Sequence, residues 1–128
     1  MTGPKLYAAP AARPGTATTR LHMDITDATN LMVWSGSPDE VSAHWDIFSA
    51  ESAEELRRFL RAEHELAENT DPIHSQSYYL TDDMIARLVS EGNVRHWRVQ
   101  QRVGDVVLIP AGCAHQVSRI VLYSPQVL

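Results

Sequence analysis

Between Gly104 and Val117 the chain reads GDVVLIPAGCAHQV, and this stretch limits the possible fold more than any other. Residues 106–109 form an apolar run too short for a helix and bounded by turn residues, which predicts a buried strand. Pro110-Ala111-Gly112 then reverses the chain, because proline cannot extend a ladder and glycine accepts backbone angles closed to other residues. The next apolar segment opens on His115. A turn that delivers one histidine to the start of a strand predicts a hairpin aiming that side chain at a partner.

The rest of the chain predicts more short strands. RLHMDI (20–25) and NLMVWS (30–35) read as two strands joined by a tight turn at TDAT, and SAHWDIF (42–48) as a third. HWRVQQ, GDVVLIP and HQVSRIVLY read as strands near the C-terminal end. Between these groups the period changes. Residues 52–69 carry Leu56, Phe59, Leu60 and Leu66 near helical spacing, with Ser52 and Glu55 as a capping box. A second helix spans 81–92, capped by Thr81, buried through Met84, Ile85, Leu88 and Val89, and stopped by Gly92. NTDPIHSQS is a loop, and residues 8–18, AAPAARPGTAT, read as a flexible one. Strands, helices, then strands predict a mainly β fold: a jelly roll of the cupin kind, a double-stranded β-helix, with a helical insertion over about 51–92. At 128 residues the chain reads as a single domain.

Composition narrows the function classes. The net charge of −5 argues against a nucleic-acid-binding surface, so no sequence-specific nucleic acid binding is expected. No apolar run reaches the roughly 18–20 residues that cross a bilayer, so no membrane partner is expected. The single cysteine, Cys113, excludes an internal disulfide and suits a reducing compartment. It reads as a small buried residue at its turn.

His22 and Asp24 sit two apart in LHMD. If both lie on one strand, alternation turns them to the same face. A histidine from a distant strand would complete two imidazoles and a carboxylate on one face of a metal, leaving the other face open, as in non-haem Fe(II) oxygenases. His115 supplies it. The other histidines read as scattered: His64 on a solvated helix face, His96 at a strand start, His74 in a loop. Trp34, Trp45 and Trp97 read as core or barrel-rim packing.

The segments GPKLY, TTRLHMDITDATNLMV, HWDIF, DPIHSQSYYL and GDVVLIPAGCAHQV occur in this order from about Gly3 to Val117. In that order and wording the chain resembles JmjC-domain proteins, and within them the hairless/JmjC-domain-containing subfamily of histone H3 lysine 9 demethylases. The resemblance implies an Fe(II)- and 2-oxoglutarate-dependent dioxygenase in the nucleus. It would use O2 to hydroxylate an N-methyl group on the histone H3 tail and release formaldehyde. It places Fe(II) on His22, Asp24 and His115 and gives them the catalytic role. It places the 2-oxoglutarate co-substrate against Thr19 and Asn30, with Tyr7 a further contact. Across the class a lysine usually pairs with the co-substrate's distal carboxylate. Here Ala43 stands at about that position and Lys5 is the only lysine. Arg119 or Arg98 is expected to take the part, since a guanidinium suits a carboxylate, and Arg119 is preferred because it lies four residues past His115 on the same strand. The alternative implied by the same departures is an inactive JmjC-like module that acts in chromatin by binding.

Overall fold

The computed structural model describes residues 18–36 and 38–119. Tyr7, most of the 8–18 loop and the strand residues beyond Arg119 lie outside the described residues. Among the described residues there are six strands and two α-helices: β1 (Thr18–His22), β2 (Ala28–Leu31), β3 (Ala43–Phe48), α1 (Ala53–Glu63), α2 (Asp82–Glu91), β4 (His96–Gln101), β5 (Val106–Ile109) and β6 (His115–Arg119). Four strands form an antiparallel sheet in the order β1-β6-β3-β4, and β2 pairs with β5 in a second. Both α-helices lie between β3 and β4 in the chain.

Alternation along β3 builds the architecture. Ala43, Trp45 and Ile47 point inward and join Val117 of β6 and Val107 and Ile109 of β5 in the core between the sheets. Phe48 points outward, where Leu56 and Leu60 of α1 and Ile85 and Leu88 of α2 cover the same sheet. The large sheet is thus covered on both faces, while the small sheet covers only one of them. The result is the mainly β, jelly-roll architecture expected of a cupin-like JmjC fold.

Several local expectations change. The first two strands do not pair: β1 and β2 lie in different sheets, and residues 23–27 cross between them. β1 ends at His22, so Met23 and Asp24 are irregular, and β2 ends at Leu31 instead of Ser35. Trp34 is exposed, as is half of Trp97, so only Trp45 of the three tryptophans is core. α1 stops at Glu63, well short of residue 69. Ser52 makes no capping box, because its backbone is already helical and it lies in a short 3-10 turn. Its hydroxyl instead accepts the Arg95 N–H at 3.0 Å and pairs with Ser49 at 2.8 Å. Thr81 does cap α2, accepting the Met84 N–H at 3.3 Å, and Gly92 ends it, but Val89 is exposed.

Candidate metal centre

His22, Asp24 and His115 converge. One ligand atom from each lies within 4.8 Å of the others, and these three form the metal-capable cluster among the described residues. Simple alternation is not what brings them together. The register between β1 and β6 shifts: Thr19 faces Val117, yet His22 faces His115. A bulge between them adds a residue, so positions three apart share the inner face. Asp24 lies beyond the strand and is held by other means. Gly112 donates its N–H to the Asp24 carbonyl at 3.0 Å, and Ala111 donates to the Asp27 carboxylate at 2.7 Å. The turn before His115 is therefore bonded to the segment that carries Asp24. Gly112 has φ +78°, in the region where side chains are strained, which explains glycine there. Asp27 belongs to this site without any ligand pattern in the sequence to mark it. Its signal was faint: a lone acidic residue in a turn sequence.

The two imidazoles are oriented for ligation. His115 Nδ1 lies 3.0 Å from the Cys113 carbonyl, and His22 Nδ1 lies 2.8 Å from the Arg20 carbonyl. A carbonyl can only accept, so each Nδ1 carries a proton, and Nε2 is the ring atom left to meet a metal. Backbone partners of this kind fix tautomer and ring angle around a metal. The rings sit 4.2 Å apart between centroids. His115 Nε2 and Asp24 Oδ2 are 3.6 Å apart, too far for a good hydrogen bond and suited to an ion between them. Burial pushes the His115 pKa down, partly offset by its bond to Cys113 and by the Asp24 charge, which favours the neutral form that a metal requires. Two imidazoles and one carboxylate fit a divalent first-row metal.

The surrounding residues divide clearly. Trp45 lies behind His115, with ring centroids 6.0 Å apart and planes at 27°. Asn30 sits on β2 opposite Val107 and so faces the inter-sheet space. Thr19 is on β1 opposite Val117 and is exposed. Arg119 is half-buried opposite Ala43, and alternation from His115 and Val117 puts it on the inner face. DPIHSQSYYL does not enter the centre: Asp71 accepts the N–H groups of Ile73 and His74 as a turn cap, and His74 is exposed. The loop is strapped to the outer face, where Gln116 accepts the Leu80 N–H and donates to its carbonyl, both at 2.8 Å.

Residues 13–122 match the family described as JmjC domain, hydroxylase. The chain belongs to the JmjC family. It is 37% identical to lysine-specific demethylase 3A-A of Xenopus laevis and 36% identical to human lysine-specific demethylase 3A, in each case over 92% of this chain and 12% of the relative. Lysine-specific demethylase 3 of Drosophila melanogaster is 35% identical over 92% of this chain and 18% of its own length. The chain thus spans under a fifth of the curated relatives it matches. Those alignments run over 158 or 159 residues, more than the 128 of this chain, so the matched regions of the relatives carry segments that this JmjC domain lacks.

Proposed function

We propose that this JmjC domain is an Fe(II)- and 2-oxoglutarate-dependent dioxygenase that demethylates a lysine of the histone H3 tail in the nucleus. The observation that carries the proposal is the convergence of two imidazole Nε2 atoms and one carboxylate oxygen, each imidazole pinned by its Nδ1–H. Membership of a hydroxylase family, with lysine-specific demethylases as relatives, supports the substrate class.

His22, Asp24 and His115 would hold the iron, which when bound supplies the redox chemistry with O2. The protein's own residues do the rest. His115 and its bond to Cys113 keep one ligand rigid, and Trp45 excludes water behind it. Asn30 and Thr19 offer polar contacts to 2-oxoglutarate from β2 and β1. A carboxylate leaving water needs a cation or several donors. The Arg119 side chain has no hydrogen-bond or ion-pair partner among the described residues and shares the inner face with His115, which fits it for the distal carboxylate.

Calorimetry with Mn(II) under reducing, anaerobic conditions, then with 2-oxoglutarate, tests the two halves in turn. Formaldehyde release from methylated histone H3 peptides tests the reaction. Stoichiometric metal binding is expected, followed by co-substrate binding below millimolar concentration. A protein that takes up no metal would sink the proposal. Metal binding without 2-oxoglutarate binding would leave a binding module in place of an enzyme.

A further inference from the structure

Trp45, Gln101 and Asn30 form a chain of side chains whose roles are fixed by one member. An indole N–H can only donate. Trp45 Nε1 donates to Gln101 Oε1 at 2.9 Å. Gln101 is fully buried, so its oxygen is committed to Trp45 and its NH2 faces the opposite way. That NH2 meets Asn30 O and Asn30 Oδ1, each at 3.1 Å, and Asp105 O at 3.2 Å. Turning the Asn30 amide over would set two NH2 groups against each other in a buried place. Asn30 therefore keeps its oxygen on Gln101 and directs its own NH2 elsewhere, along a strand face that looks into the inter-sheet space. The other end of the chain is the Trp45 ring, stacked on His115.

We infer that Gln101 is a positioning residue that sets the polarity of the co-substrate space. It holds the Asn30 amide so that a donor, not an acceptor, is presented to an anionic ligand, and it anchors the indole that backs His115. The inference rests on the reading of Asn30 as a 2-oxoglutarate contact. An unrestrained asparagine presents its oxygen as readily as its NH2, and an oxygen repels a carboxylate. A purely architectural Gln101, tying β4 to β2, would affect stability without selecting between ligands.

The test is calorimetry of Mn(II)-loaded protein with 2-oxoglutarate for wild type, Gln101→Met, Asn30→Ala and the double variant. Gln101→Met keeps the volume and removes both ends of the amide. It is expected to weaken 2-oxoglutarate binding about tenfold and to leave Mn(II) affinity within about twofold. In the Asn30→Ala background the same change should cost nothing further, because residues acting as one unit are not additive. Trp45→Phe keeps a ring behind His115 but frees the Gln101 oxygen. It should show a smaller loss with the same dependence on Asn30, and it serves if Gln101→Met fails to fold. Undiminished binding in Gln101→Met, or losses that add to that of Asn30→Ala, would overturn the inference while leaving the function standing. Absence of 2-oxoglutarate binding by metal-loaded wild type would overturn both.

Discussion

A histidine–aspartate pair lies against each face of the large sheet, and the two pairs are built for opposite ends. On the outer face Asp46 has a side chain only 3% exposed, and its oxygens are fully engaged. Arg98 Nε and His96 Nε2 each approach at 2.8 Å and Gln116 Nε2 at 3.0 Å, while the other arm of Arg98 reaches Asp82 at the start of α2. On the inner face the Asp24 side chain is 43% exposed, and its nearest imidazole is 3.6 Å away. The first carboxylate is saturated by the protein and joins sheet to helix. The second is left short of partners beside two imidazoles whose Nε2 atoms have no hydrogen-bond partner among the described residues either. Residue types alone do not separate structure from function here; the number of unfilled coordination positions does.

Removing the inner carboxylate should give the largest change in binding and a small change in stability. Asp24→Ala is expected to abolish stoichiometric Mn(II) binding by calorimetry while the apo-protein unfolds near the wild-type midpoint. A variant that still binds metal stoichiometrically would erase the distinction drawn between the two pairs.

The outer pair should behave in reverse. Asp46→Ala leaves Arg98 partly unpaired and Gln116 short of an acceptor, and breaking a buried ion pair typically costs about 3 kcal/mol or more. Urea unfolding would show it, with Mn(II) affinity retained in the folded fraction. Acid offers a second reading of the same group. Burial opposes ionisation of Asp46, but hydrogen bonds from His96, Arg98 and Gln116 and the Arg98 charge outweigh it and hold its pKa well below the usual carboxylate range. A depressed folded pKa means stability that is fully present above the unfolded value of about 4 and is lost as pH falls toward the folded one. The stability gap between wild type and Asp46→Asn should therefore narrow from pH 5 to pH 3. A gap that stayed constant would show that the ionised carboxylate is not what matters.

Arg119 tests whether the inner face holds an anion as well as a metal. Arg119→Ala should weaken 2-oxoglutarate binding roughly tenfold, since hydrogen bonds to charged groups contribute about 1.5–3 kcal/mol. Metal affinity should be unchanged. Equal co-substrate affinity in the two proteins would make Arg119 a surface residue.

The smallest effect is expected at the far end of the outer network. Thr81→Ala removes the cap of α2, next to the Asp82 that takes the second arm of Arg98, and should cost about 1 kcal/mol. Because α2 covers only the outer face, metal and co-substrate titrations should match wild type. A change in either would show that the two faces are coupled.

The sequence by itself determined the ingredients: the apolar runs of β3, β5 and β6, the glycine-bearing turn before His115, the caps of α2, and the histidines and carboxylate of the candidate centre. Each is a local property, set by period, turn chemistry or residue type within a few positions. The tertiary structure decided what those ingredients do. HMD suggested ligands aligned by strand alternation, but β1 ends at His22, and the convergence depends on a bulge and on Gly112 and Asp27 gripping the far segment. Asp46 with His96, Arg98 and Gln116, and Trp45 with Gln101 and Asn30, join residues 50 or more positions apart along the chain. Such partners depend on which strands become neighbours and in what register, and register is a property of the packed sheet, not of any one strand.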